Sequence, residues 1–125
     1  MGASQIRMWM VDPFIMCRQH LPGEHNEVHM FGGSIKRRIH TDGYLKANCF
    51  EANSIGARHE ELVEEMVGRG YEHNSILVVD MGALNDIPRH VRDFKIDSEG
   101  SLSLLLQRCT RCRKRYKEKH RCTLF

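Results

Sequence analysis

Cys17-Arg18-Gln19-His20-Leu21-Pro22-Gly23-Glu24-His25-Asn26-Glu27-Val28-His29-Met30-Phe31 decides how the chain is read. It sets eight polar or ionisable side chains beside apolar residues at helical spacing. With Pro22 in a first turn, where its missing N–H is harmless, one face holds Leu21, His25, Val28, Gly32, Ile35 and Ile39. That stripe faces a core. A second face holds His20, Glu24, Glu27, Phe31, Ser34 and Arg38, so two carboxylates and a histidine stand within about two turns of one another. The bland reading is a solvated face of paired charges, and the chemical one is a catalytic carboxylate.

Outward from this stretch, Asp12-Pro13 reads as a helix start, with Phe14, Cys17, Arg18 and Leu21 on one face and Cys17 as a small core residue. Downstream, Thr41-Asp42-Gly43 is turn chemistry and residues 44–53 have no clean period. Ser54 caps a helix whose apolar positions are Leu62, Val63, Met66 and Val67, and Gly70 stops it. Glu60, Glu61, Glu64 and Glu65 make its acidic, solvated face. Propensity alone makes Ser75-Ile76-Leu77-Val78-Val79-Asp80 a buried strand, yet no partner strand is evident, so a packed irregular segment is an equal reading. Asp86-Ile87-Pro88 is a turn. From Ser101 the leucines at 102, 105 and 106, with Cys109 and Arg113 outside them, predict one final helix whose basic part runs outward.

At 125 residues and 41% hydrophobic content, the chain is expected to form a single domain over 1–125. Residues 1–6 read as an extension or expression residues and 108–125 as a basic C-terminal segment. The N-terminus lacks a signal peptide's pattern and no apolar run could span a membrane, so the expected location is intracellular, in cytoplasm or nucleoid. Five cysteines and seven methionines fit a reducing compartment. Arg108 to Arg121 holds eight of the 19 Lys and Arg but one of the 16 Asp and Glu, so a segment of net +7 is carried on a body of net −4. A polyanion is the partner such a segment suits.

Three blocks in order resemble the phage endonuclease V family of pyrimidine dimer DNA glycosylases. The first is Gln19-His20-Leu21, Glu24, Glu27 and Gly33-Ser34-Ile35-Lys36-Arg37-Arg38-Ile39. The second runs from Arg58 to Tyr71 and ends in an Arg-Gly-aromatic step. The third is Asp86-Ile87-Pro88 with Arg92-Asp93-Phe94-Lys95-Ile96, Glu99, Ser101 and Arg108. The resemblance implies a mainly α fold: one compact helical domain of about three helices with long irregular connections, the 75–80 segment being non-strand or a very short strand.

It also implies an enzyme, a DNA repair N-glycosylase that cleaves the glycosidic bond of a damaged pyrimidine, with an AP lyase step that nicks the strand where an amine attacks C1′. Glu27 and His20 are the expected catalytic residues, Glu27 as the carboxylate and His20 touching the DNA or orienting Glu27. The implied DNA contacts are Arg7, Asn26, Lys36, Arg37, Arg108, Tyr116 and Lys117, where Asn26, like Met30, stands at a position the family fills with arginine. The family's N-terminal threonine aligns with Ile6. Double-stranded DNA with a damaged base is the partner, the chain acts as a monomer, and no cofactor and no metal is expected.

Two metal readings stand beside this: Cys109, Cys112, His120 and Cys122 as a zinc knuckle, and His20, Glu24, His25 and His29 on one helix. The first has poor spacing and the second is split between two helix faces. The rival function is a noncatalytic nucleic-acid-binding module using the basic segment, zinc-stabilised or not.

Overall fold

In a computed structural model that describes residues 7–37, 50–73 and 75–122, the long central helix α1 spans His20–Lys36. Pro22 is its third residue, among the first N–H positions that have no partner within a helix. The carbonyls of Cys17 and Gln19 accept from Leu21 and Gly23, so the chain enters α1 already hydrogen-bonded. Leu21, His25, Val28, Gly32 and Ile35 are buried, as the apolar stripe requires. Glu24, Phe31 and Ser34 of the second face are buried too. That face is therefore not solvated: α1 is covered on most of its circumference.

The cover comes from α2, Ile55–Gly68, which turns Ile55, Arg58, His59, Leu62 and Met66 inward. Ser54 stands at its N-cap position but gives its hydroxyl to Glu51 rather than to the helix. Gly70 ends the helix as expected. At φ +85° it lets its own N–H reach the Val67 carbonyl at 2.9 Å and the Tyr71 N–H reach Met66 at 3.0 Å. Val67, expected on the apolar face, is exposed. Phe31 packs against Phe50 with the rings tilted and their centroids 5.0 Å apart, and Leu21, Val28, Ile55 and Leu62 close the core around them.

Residues 75–80 form no strand. Among the described residues no segment pairs with them as a strand, and they run as an irregular connection. Ile76 and Val78 point outward, while Leu77 and Val79 pack against the core. Gly32 makes this approach feasible, since a Cβ there would stand 3.0 Å from the Leu77 methyl. Two short helices follow: α3, Met81–Asn85, capped by Asp80 at 3.0 Å, and α4, Arg89–Arg92.

The expected single terminal helix is two, α5 (Ser98–Arg108) and α6 (Thr110–Cys122), parted by Cys109 in extended conformation. Asp97 caps α5 through the Gly100 N–H. Helix α6 then packs against α5 and against the 3-10 turn Pro13–Ile15, where Asp12 caps Phe14 in place of the helix expected there. The described residues thus contain six α-helices and no strand, so the mainly α class holds and three helices is an undercount. None of them is long and apolar enough to cross a membrane. Ile6, Arg38, Ile39, the 41–43 turn and residues 44–49 lie outside the described residues.

Candidate active site

Glu27 sits on the half-buried flank of α1, one turn after Glu24, with the backbone N–H and the charge of Arg7 near its carboxylate. Burial pushes the Glu27 carboxyl up to about 7, and the negative charge of Glu24 pushes the same way against the pull of Arg7. A carboxyl in that range exchanges its proton near neutral pH.

The floor under Glu27 is a buried ion pair. Arg58 of α2 grips Glu24 with both arms of its guanidinium, Nε to Oε2 at 2.7 Å and an Nη to Oε1 at 2.9 Å. Both side chains are almost wholly enclosed, at 2% and 0% exposure. A fork-to-carboxylate pair fixes orientation as well as charge, so α1 and α2 cannot rotate past each other without breaking it.

On the other side stand the residues of the entering chain. Arg7 is buried, reaches Ser101 of α5 at 3.0 Å, and lies over the Trp9 ring at 4.1 Å. Ser101 also gives its hydroxyl to the Trp9 carbonyl. Trp9 meets the His20 ring edge to face, with centroids 5.8 Å apart. Arg7, Trp9 and His20 are therefore linked in one chain of contacts near Glu27, although His20 and Glu27 stand nearly two turns apart on α1.

His20 has closer neighbours than Trp9. Its Nδ1 lies 3.3 Å from the Cys17 sulfur and 3.6 Å from that of Cys112. His25 and His29, the other histidines of α1, meet His59 and His73. Of the expected DNA contacts, Asn26, Lys36, Arg37, Arg108 and Lys117 are exposed. Arg7 is packed inward, and Tyr116 is half-buried and stacked on His120 at 4.1 Å. Arg108 stands at the end of α5, and Tyr116 and Lys117 stand on α6 with Lys114 and Arg113. Arg58, His59 and His73 carry structural weight that spacing alone does not assign to them.

The family model of pyrimidine dimer DNA glycosylases matches residues 6–78, more than half of the 125-residue chain. The matched part contains Arg7, His20, Glu24, Glu27 and Arg58, whereas α5 and α6 lie beyond it. No match was found among curated proteins or solved structures.

Proposed function

The chain belongs to the pyrimidine dimer DNA glycosylase family, and we propose that it excises a damaged pyrimidine from double-stranded DNA at a site centred on Glu27. The observation that carries this reading is the family match over residues 6–78, which contains Glu27, half-buried on α1 one turn after Glu24. The resemblance sets the family's N-terminal residue, whose α-amine attacks the sugar, at position 6, next to Arg7 in the sequence.

The damaged nucleotide first leaves the stack, because a sugar C1′ inside a duplex is closed to attack. As the glycosidic bond breaks, its electron pair leaves with the base and positive charge builds on the sugar. Glu27 opposes that charge in its ionised form. An α-amine attacking C1′ forms a C–N bond, loses a proton and opens the sugar ring to an imine. Loss of the proton at C2′ then expels the 3′ phosphate, which is the lyase step. The alternative nucleophile is a water molecule deprotonated by Glu27, which gives base release without an imine.

His20 acts on the site as a positioning residue, through Trp9 and the guanidinium of Arg7 resting on it. Asn26, Lys36, Arg37, Arg108, Tyr116 and Lys117 hold the duplex through its phosphates, and the chain acts as an intracellular monomer. Incubation with ultraviolet-irradiated duplex DNA tests the reading. Release of dimer-linked bases with strand nicks is expected, and binding without release would leave a noncatalytic nucleic-acid module.

A further inference from the structure

Four potential metal donors from opposite ends of the chain converge beside Trp9. Cys17 and His20 come from the entry to α1, and Cys109 and Cys112 from the break between α5 and α6. One ligand atom of each lies within 4.8 Å of all the others. The Cys17 and Cys109 sulfurs are 3.8 Å apart, far beyond the ~2.05 Å of a disulfide. A tetrahedral zinc ion with Zn–S of about 2.3 Å and Zn–N of about 2.0 Å sets its sulfurs about 3.8 Å apart and its sulfur–nitrogen edges about 3.5 Å. Two of the three sulfur–nitrogen edges, from His20 to Cys17 and to Cys112, are 3.3 and 3.6 Å.

The backbone around the cluster is arranged for thiolates. Cys17 Sγ accepts the His20 N–H at 3.4 Å, Cys109 Sγ accepts that of Cys112 at 3.4 Å, and Cys112 Sγ accepts that of Cys17 at 3.2 Å. Three sulfurs thus take three N–H groups, which offsets the negative charge each carries as a ligand. Core cysteines that only fill space do not need this. The extended conformation of Cys109, which interrupts the terminal helix, is what turns its sulfur inward.

We propose that Cys17, His20, Cys109 and Cys112 form a structural Cys3His zinc site that pins the basic helix α6 to the entry of α1. All four positions are taken by protein atoms, so the site is closed and holds shape rather than performing chemistry. The ligands come as two pairs of x2 spacing, Cys17-Arg18-Gln19-His20 and Cys109-Thr110-Arg111-Cys112.

A second cluster rests on separate observations. His25 and His29 of α1, His59 of α2 and His73 converge, and their ligand nitrogens also lie within 4.8 Å of one another. The Nε2 atoms of His29 and His59 are 3.1 Å apart and those of His25 and His73 are 3.0 Å apart, near the about 3.3 Å edge of a tetrahedron of imidazoles at about 2.0 Å from a metal. The other nitrogen of His59 meets the Glu60 carboxylate at 2.7 Å, which fixes Nε2 as the donor that faces the cluster. This set binds a second divalent ion, and zinc suits four imidazoles.

The test is a metal count and a cobalt spectrum on the full chain. Two zinc ions per chain are expected, and the cobalt-loaded protein should show a thiolate-to-cobalt charge-transfer band over the tetrahedral visible bands. Cys112→Ser should remove that band and one metal, whereas Cys49→Ser and Cys122→Ser should leave both. Because removing a ligand can unfold the chain, Cys109→His supplies a second readout, a retained site whose band falls by about a third as three thiolates become two. His59→Ala should remove the other metal and leave the band intact. A folded protein that takes cobalt without a thiolate band overturns the first site, as does a band that survives Cys112→Ser. A single bound metal that His59→Ala leaves in place overturns the second.

Discussion

Glu27 owes its raised proton affinity to what surrounds it, and under the proposed function its removal should separate binding from catalysis. Glu27→Gln keeps the shape and removes the charge that matters only as the base departs. That variant should bind irradiated DNA with unchanged affinity in a gel-shift titration while base release falls by at least about 100-fold. His20→Cys retains four donors beside Trp9, so its release rate should fall less steeply than that of Glu27→Gln. Glu24, by contrast, is committed to Arg58. Arg58→Met strands a buried carboxylate and should destabilise the protein by about 3–5 kcal/mol in urea titration, and the double change Glu24→Leu with Arg58→Met should recover much of that deficit. In the sequence Glu24 and Glu27 look equivalent, each a carboxylate on one helix face. What distinguishes them is a guanidinium 34 residues away, which no local pattern displays.

At the scale of elements, the basic charge of the terminal segment is carried by a packed helix. Arg115 donates to the Phe14 carbonyl at 2.9 Å and Lys119 pairs with Asp12, so α6 lies along the Pro13–Ile15 turn while Arg111, Lys114 and Lys117 stay exposed. Neutralising those three as Gln should flatten the dependence of DNA affinity on salt by about 0.9 in logarithmic slope for each phosphate that the helix no longer neutralises. An unchanged slope would place the DNA face elsewhere. Elements with local causes are legible in the sequence: the apolar stripe of α1, the Gly70 stop, the leucine-bearing α5. The break at Cys109 is not, because helical periodicity continues through it and the residue its sulfur meets, Cys17, lies 92 residues away. The 75–80 segment misleads for the same reason in reverse. Its β-rich composition is met by packing Leu77 and Val79 into the groove over Gly32 and Gly56, with no sheet needed. Cys17 reads as a core filler because its burial is real and only its partners are informative. The paired x2 spacings of Cys17/His20 and Cys109/Cys112 are the available signal, visible only when the two ends of the chain are compared.

Across the whole molecule, the two ends of the described chain meet at one place. Arg7 touches Ser101 of α5 and lies near Glu27 of α1, and Cys17 touches Cys109 and Cys112, so the first described residues lie between the carboxylate and the basic helices. This arrangement makes the length of chain before Arg7 the variable that decides the nucleophile. An α-amine on residue 6 is one residue from Arg7 in the sequence, whereas an amine on Met1 or Gly2 must fold back over several residues to reach the same point. If an amine attacks C1′, borohydride reduces the imine to a stable protein–DNA adduct that maps to the N-terminal residue. A chain trimmed to begin at Ile6 or Arg7 should therefore trap at least as well as the 125-residue chain on irradiated duplex. The trimming removes no charged side chain, so affinity and salt slope should stay where they were and only the chemistry should move. Base release from both chains without an adduct would assign the attack to water activated by Glu27, and trapping that maps to a lysine of α6 would move the nucleophile away from the N-terminus altogether.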